Sequence, residues 1–461
     1  MNKHENVEMA IKSFDAIPYA SIASNEPYAV GASPEQSGLR AKISSEYIED
    51  PVAEWPEFNY PKLDGAELIH SERLLQKLLN ELDTLQGPSA EVNVMYDKIA
   101  AKLAEVYRHL EVVRGLGRTG LRRELSRDRA GEMTLELFGR PDQATFNDML
   151  YADIQAARIS DDDPTSQAAT IRAEFLDLIG EKAKSYAPES DTLAYELKDE
   201  TIATLRRDFY NLFPGLEMLR VNSAEENVIT PQESLATFKQ ALDATGLSDS
   251  GWDVEPGEGK AASTNDATQR IVVGKNRPNF NRKTITSVPI HEWMHAMRAH
   301  NAKNQEQAVR RMKMPGYLQF EEGFGMALEQ IVTGEKRIGG TAYYLSLGLQ
   351  LGMDEGAGQK RSFKDTYEIM WRRSLLTKDT VTDQDIERAK KTAIQQVTRT
   401  TRGGSLDARD ISYAEGARKA HTWLNSIAEK NEPERQRLLQ WALSGKFDPT
   451  DPSHVEIFTD K

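Results

Sequence analysis

The segment 291–295 reads HEWMH and holds two histidines and a glutamate at a spacing that can bind a metal. Residues i and i+4 of a helix lie on one face, so the imidazoles of His291 and His295 can reach the same ion. Glu292 lies beside them and can accept a proton from a water molecule that the metal activates. Apolar neighbours predict that this helix is largely buried, and a buried histidine pair requires partners, of which a metal is the simplest.

A catalytic zinc site also needs a third protein ligand and one open position. The chain has no cysteine, so every ligand must be His, Asp or Glu. The segment 320–329, FEEGFGMALE, predicts an apolar helix that carries several carboxylates. Glu322 and Glu329 are seven residues apart and share a helical face, so one can bind the metal while the other supports a ligand.

Composition and charge exclude several other classes of protein. The chain has 461 residues and a formal net charge of −14, which argues against a general nucleic-acid binder and against binding to an anionic membrane surface. Within this acidic chain, residues 270–313 carry ten basic and two acidic residues, which predicts a local field that attracts an anionic substrate. We find no apolar run long enough to span a membrane and no secretory leader, so we expect a cytoplasmic protein.

The elements that must position these residues are mainly helices. Residues 1–54 are rich in Pro, Gly and Ser, which predicts a mobile arm. The alternatives are an arm that packs on the body and an arm that covers a cleft. Residues 55–250 predict a helical part, and residues 251–461 a catalytic part. Two short strands or a hairpin are expected between Trp252 and Val273, and helices then resume. Pro289 predicts that the helix with the histidines begins close to His291 or bends there.

The predicted fold is therefore mostly α with a small β-sheet, in the α+β class, with a helical half before the catalytic half. Helices are expected near residues 286–301, 318–333, 340–352, 363–376, 382–398, 411–429 and 433–444.

Four motifs in one order resemble the tyrosine carboxypeptidase family, which includes the microtubule-associated enzyme and bacterial proteins named for a QEGLA motif. In that family an H-E-x-x-H motif precedes a Glu-Gly-Leu-Ala helix, an R-x-x-R-G segment and a (K/R)-D-x-x-Y-x-x-G segment. The corresponding segments here are 291–295, 322–325, 399–403 and 409–416, with EFNYP at 57–61 similar to the family's entry segment. The similarity extends over about residues 55–430.

The resemblance implies a zincin-like metallopeptidase that removes a C-terminal Tyr or Phe from a peptide or protein tail. It implies that Glu322 is the third zinc ligand, and we then expect Glu321 to contribute little. In the matching segments, Tyr413 is the candidate donor to the oxyanion, and Arg399 and Arg402 are the candidate readers of the substrate carboxylate.

Three further expectations concern the substrate and the competing functions. Asp410 is placed to orient one of the two arginines, and Phe320, Phe324 and Met326 are expected to help line an aromatic pocket. A zinc endopeptidase that holds an extended substrate on the strand near Ile271–Val273 is one alternative. A regulatory protein that keeps the metal site as structure is another. The natural substrate and the oligomeric state stay open.

Overall fold

The fold is known from a computed structural model. It describes residues 3–17, 34–56, 58, 65–84, 89–116, 121–159, 163–188, 196–219, 230–257, 262–275, 282–334, 339–355 and 360–459. Most of the similar segment EFNYP at 57–61 lies outside the described residues, which include only Phe58.

Helices dominate the described residues. The α-helices are α1 (Lys3–Asp15), α2 (Pro34–Glu49), α3 (Gly65–Asp83), α4 (Ala90–Leu116), α5 (Leu121–Phe138), α6 (Gln143–Ala157), α7 (Gln167–Leu178), α8 (Glu181–Lys184), α9 (Asp199–Leu212), α10 (Pro231–Asp243), α11 (Arg282–Lys303), α12 (Ala308–Arg311), α13 (Tyr317–Thr333), α14 (Thr341–Gln350), α15 (Phe363–Arg373), α16 (Asp383–Arg399), α17 (Ser412–Ala428), α18 (Glu432–Ala442) and α19 (Pro452–Phe458). Short 3₁₀ turns cover Pro214–Leu219, Arg402–Gly404 and Arg409–Ile411.

The sheet has three strands, β1 (Asp253–Gly257), β2 (Ala262–Asn265) and β3 (Arg270–Gly274), in the spatial order β1-β3-β2. β3 is central and pairs parallel with β1 and antiparallel with β2. Thr264 of β2 stands opposite Ile271 of β3. The prediction of a mostly helical α+β protein with one small sheet is confirmed, although there are three strands and not two.

Three hydrophobic clusters make up the core. One joins α9, α10 and the sheet to α11, α13 and α17, and it contains Trp252, Trp293 and Phe324. The second joins α6 and α7 to α14–α16, and the third joins α3 and α4 to the C-terminal residues near Phe458. Each cluster draws residues from both sides of position 250, so the predicted boundary at 250/251 does not separate two cores.

The N-terminal residues that the structure describes are helical and packed. Val7, Phe14 and Ile17 are buried in the third cluster, and Tyr47 of α2 is buried in the second. These apolar side chains of α1 and α2 are removed from water against the body, while the mobility of the arm as a whole stays a prediction. The alternative of an arm that packs on the body describes these two helices.

Glycines mark the ends of α13 and allow its close contact with α17. Gly316 and Gly334, with φ of 69° and 79°, mark the two ends of α13, where the left-handed conformation favours glycine. A Cβ atom at Gly323 would lie 1.9 Å from the carbonyl of Gly416, so α13 and α17 touch backbone to backbone. Side chains beside these glycines, Glu322 on α13 and Tyr413 on α17, are thereby held close to one another.

The helix with the histidine motif is longer than Pro289 predicts. α11 begins at Arg282, and Pro289 lies inside it and not in its first turn. Proline removes one hydrogen bond from a helix interior, and burial of Ile290, Trp293 and Met294 in the first cluster offsets that loss. Among the described residues, no helix combines the length and apolar character that crossing a bilayer requires.

Candidate metal centre

The metal centre, as named here, consists of His291 and His295 on α11 and Glu322 on α13. One ligand atom from each residue lies within 4.8 Å of the others. The carboxylate Oε2 of Glu322 is 3.5 Å from Nε2 of His291 and 3.9 Å from Nε2 of His295. Two imidazole nitrogens and one carboxylate oxygen therefore face a common point, as the sequence predicts, and within the described residues no second group of this kind occurs.

Each histidine is oriented by a further carboxylate on α13. Nδ1 of His291 is 2.7 Å from Oε1 of Glu329, and Nδ1 of His295 is 2.6 Å from Oε1 of Glu321. A carboxylate that accepts the Nδ1 proton leaves Nε2 free as a metal ligand and fixes the ring orientation. The residues pair in reverse order along the two helices, which shows that α11 and α13 cross antiparallel.

Glu321 is the supporting residue that sequence reasoning missed. The sequence-based expectation that Glu321 contributes little to metal binding stays a prediction, but Glu321 is buried against His295 and also contacts Lys446 and Arg298. Neighbours in a helix point about 100° apart, so Glu321 and Glu322 can both reach α11 only where two helices cross closely. The one available signal was the apolar, small-residue character of α13, which favours such close packing.

Electrostatics ties these groups together. Burial disfavours the protonated form of His291, but the carboxylates of Glu322 and Glu329 outweigh burial and raise the pKa of this histidine above its ordinary value. Burial likewise opposes ionisation of Glu322, while the histidines lower the pKa of its carboxyl group. For Glu321, burial is outweighed by Lys446 and Arg298, which also lower its pKa. The site thus favours anionic glutamates and a positive charge between the histidines.

The balance of charge provides a test of whether a metal fits here. When both imidazoles are in the neutral form that binds a metal, four carboxylates and two cations surround them, which leaves a net charge of −2 in a largely buried place. They are the anions Glu292, Glu321, Glu322 and Glu329 and the cations Arg298 and Lys446. Asp266 and Lys313, 2.9 Å apart, form a further pair beside them that adds no net charge. A buried net charge is costly unless it is compensated, and one divalent cation compensates it.

Glu292 lies on α11 between the two histidines, buried, and it is held by the sheet. The hydroxyl of Thr264, on β2, lies 2.7 Å from Oε2 of Glu292 and 3.1 Å from its backbone carbonyl oxygen. Because Thr264 contacts only one carboxylate oxygen, the other oxygen remains available to accept a proton. No feature of the sequence near Thr264 indicates this contact, which depends on β2 lying along α11.

Tyr413 lies near the metal centre on the first turn of α17. The charge of Glu322 is the main reason that the pKa of this phenol is raised, with burial and Asp410 adding to the effect. Tyr413 therefore keeps its proton and can donate a hydrogen bond. Arg399 acts on its pKa in the opposite direction, so Tyr413 lies near both Glu322 and Arg399.

The arginine cluster consists of Arg399, Arg402 and Asp410. Arg399 binds both carboxylate oxygens of Asp410, each at 2.8 Å, and stacks on the ring of Tyr343 at 4.3 Å. Arg402 donates to Asp410 at 2.9 Å, while its Nη1 is buried without a hydrogen-bond partner among the described residues. Two guanidinium groups share one carboxylate, so the cluster carries a net charge of +1. As expected, Asp410 orients an arginine, and in fact it orients both.

The expectation that Phe320 and Phe324 line an aromatic pocket is wrong. Phe320 and Phe324 are fully buried, stacked at 5.5 Å between ring centroids, and packed on Trp423. They lie two residues from Glu322 on either side, about 200° away around the helix, so they face the core and not the metal centre. Met326, four residues after Glu322, lies on the same face of α13 as that ligand, with its Sδ against Gly339, and its expected part in a pocket stays a prediction.

Several described side chains of the basic run at 270–313 are engaged in contacts within the protein. Arg298 is fully buried and donates to the carbonyls of Gly445 and Phe447. Arg310 donates to the carbonyl of Ile457, and Lys313 pairs with Asp266. These charges serve internal contacts, so the predicted local field is weaker than the count of basic residues suggests.

Comparisons with known proteins found no matching family model, no matching curated protein and no matching solved structure. The likeness to tyrosine carboxypeptidases therefore depends on the motifs alone, and the geometry of the site has to carry the functional argument.

Proposed function

We propose that the protein is a zinc-dependent carboxypeptidase that removes a C-terminal aromatic residue from a peptide or protein tail. The observation that carries the proposal is that two groups of opposite charge, the metal centre and the arginine cluster, both lie near enough to Tyr413 to act on its pKa. A carboxypeptidase needs both, because it must activate water and recognise a free carboxylate. The aromatic preference comes from the family resemblance, as does the zincin-like fold.

Two histidines and one glutamate, without a thiol, are a donor set typical of catalytic zinc sites. Zinc bound there would supply Lewis-acid polarisation of the scissile carbonyl group and of the attacking water. His291 and His295 would bind through Nε2, since their Nδ1 atoms face Glu329 and Glu321. Glu322 would bind through its carboxylate.

The protein's own residues then move the protons. Glu292 accepts a proton from the attacking water as the water oxygen bonds to the carbonyl carbon. When the carbon–nitrogen bond breaks, the same carboxyl group returns the proton to the leaving amine. Thr264 keeps Glu292 in place during both steps, because it holds one carboxylate oxygen. The neutral hydroxyl of Tyr413 donates to the oxygen that becomes negative in the transition state.

The arginine cluster supports recognition of the substrate's terminal carboxylate. Arg399 is 39% exposed and can be approached by a ligand, while Asp410, at 3%, is a buried support. A bidentate support holds the guanidinium plane fixed, which favours a planar anion over other groups. The net charge of +1 makes the cluster attractive to an anion even though Asp410 is present.

A zinc endopeptidase is the second candidate, and the edge strand β2 favours it. β3, with Ile271–Val273, is paired on both sides and cannot hold a substrate as the sequence analysis expects. β2 is at the edge of the sheet and touches Glu292 through Thr264, so its outer backbone groups are placed to pair with an extended chain.

A peptide library with free or amidated C-termini, incubated with zinc-loaded protein and read by mass spectrometry, tests the proposal. We expect release of single C-terminal Tyr or Phe residues from free acids and little cleavage of amides. Equal cleavage of free acids and amides, or cuts inside the peptide, would contradict the carboxypeptidase proposal and support the endopeptidase. Zinc binding without any cleavage would favour a regulatory protein with a structural metal. Protein with Glu292→Gln is the control for contaminating peptidases.

A further inference from the structure

The two histidines of the metal centre have unequal supports. Glu329, which faces His291, is partly exposed, and His291 is the only group that the described structure shows against its carboxylate. Glu321, which faces His295, is 3% exposed and contacts two cations that are themselves buried. These are Lys446, whose Nζ contacts Oε1, and Arg298, whose Nη1 is 3.4 Å from Oε2.

Burial explains why the second support needs compensation. A carboxylate near the surface is stabilised by water, whereas a buried carboxylate without a paired cation is costly. Lys446 is the closer of the two cations, and it also donates to the backbone carbonyl of His295 at 3.1 Å. One ammonium group therefore contacts both the metal-facing turn of α11 and the carboxylate that orients its histidine.

Lys446 reaches this position because α11 and the residues that follow it donate hydrogen bonds to backbone carbonyls of the segment 443–447. Asn301 donates to the carbonyl of Leu443 and Gln305 to that of Ser444, both at 2.9 Å. Arg298 donates to the carbonyl of Gly445 at 2.7 Å, and the backbone N–H of Met314 donates to that of Lys446 at 2.9 Å. Lys446 is thus placed 151 residues after His295 in the chain by contacts that do not depend on its own side chain.

We propose that Lys446 is a positioning residue of the metal centre, which holds Glu321 against His295 and thereby determines how tightly the centre binds a divalent cation. The inference rests on the metal-binding part of the proposed function and is independent of the reaction. It assigns the C-terminal segment 443–447 a role in metal affinity.

The test is the zinc affinity of purified full-length variants, measured by competition with a chromophoric chelator. Lys446→Met removes the charge and keeps the length, so affinity should fall ~10–100-fold, as for other supporting groups around a metal. Lys446→Arg should recover most of the loss. Lys419→Met is the matched control, because Lys419 is a partly exposed lysine 3.4 Å from Asp448 near the same segment, and it should change affinity less than about twofold.

A double-mutant cycle separates positioning from a general structural effect. If Lys446 acts through the charge of Glu321, Lys446→Met should cost little once Glu321→Gln is present, whereas a structural defect would add to the first loss. The absorption spectrum of Co²⁺-loaded protein should change in Lys446→Met and return in Lys446→Arg. Unchanged zinc affinity in Lys446→Met, or additive losses in the cycle, would overturn the inference. Failure of the unaltered protein to bind zinc would instead overturn the metal centre itself.

Discussion

The metal centre and the arginine cluster are built in opposite ways. The metal centre lies on two crossing helices, combines three ligand residues with an excess of buried carboxylates, and leaves room for a cation. The arginine cluster lies at the end of α16 and in the 3₁₀ turns that follow, and it has an excess of positive charge. Tyr413 is influenced by both.

The difference suits the proposed function, which requires two charges of opposite sign at one site. Rigid helices suit a metal, because ligand atoms must be held to a fraction of an ångström. A loop suits the recognition of a chain end, and here the loop is anchored by the buried ion pair of Arg108 on α4 with Asp407, 2.9 Å apart. The helical half predicted from the sequence therefore supports the region proposed to bind substrate.

The largest expected effect is at the metal centre. Glu322→Ala removes a ligand, so zinc affinity should fall by more than ~100-fold, beyond the range for a supporting residue. Glu329→Ala is the matched comparison on the same face of α13. Its zinc affinity should fall ~10–100-fold, because Glu329 only orients His291. Competition with a chromophoric chelator measures both. A smaller loss of zinc affinity in Glu322→Ala than in Glu329→Ala would show that Glu329 is the ligand and Glu322 the supporting residue.

The second effect separates chemistry from metal binding. Glu292→Gln keeps the size of the side chain and the hydrogen bond from Thr264, so zinc content should stay near that of the unaltered protein. Turnover of a peptide with a free C-terminal Tyr should fall by at least ~10²-fold, the usual scale for a lost general base. A zinc-loaded variant that retains turnover would show that another group accepts the proton.

The third effect concerns the arginine cluster. Arg399→Ala should reduce the preference for free acids over amides by ~10–100-fold, because a hydrogen bond to a charged group contributes about 1.5–3 kcal/mol. Zinc affinity should not change. Arg402→Ala should have a smaller effect, since this less exposed residue holds Asp410.

Arg418→Ala is the control for the arginine cluster, as Arg418 is a partly exposed arginine of α17 that pairs with Glu415 and not with Asp410. Kinetics with matched acid and amide peptides give the ratio for each variant. If Arg399→Ala leaves the preference for free acids over amides unchanged, the arginine cluster does not recognise the substrate's terminal carboxylate. That result would support the endopeptidase.

The smallest effect is at the contact between the sheet and α11. Thr264→Val removes the hydroxyl that holds Glu292, and one hydrogen bond contributes about 1 kcal/mol, so kcat should fall roughly fivefold. Thr264→Ser keeps the hydroxyl and should stay near the rate of the unaltered protein. Steady-state kinetics at equal zinc content distinguish the two variants. Equal rates for Val and Ser would mean that Thr264 does not position the base.

The sequence determined the parts of the molecule that depend on local periodicity. The helix that carries His291 and His295 follows from a repeat of about 3.6 residues per turn, and so do the bounds of α13–α18, which agree within a few residues. Pairs such as Thr382 with Asp385 and Ser362 with Asp365 form capping boxes at helix starts, where near neighbours in the chain satisfy free backbone groups. Such features need no distant partner.

Only the tertiary structure decided which distant groups meet. Glu321 and Lys446 become supports of His295 because α11 and α13 cross antiparallel and the segment 443–447 binds along α11. Phe324 faces the core because the same crossing commits the opposite face of α13 to the metal centre. These outcomes depend on how closely α11 and α13 approach, which Gly325 permits because a Cβ atom there would lie 2.8 Å from Cε1 of His291, and no spacing within one element encodes that approach.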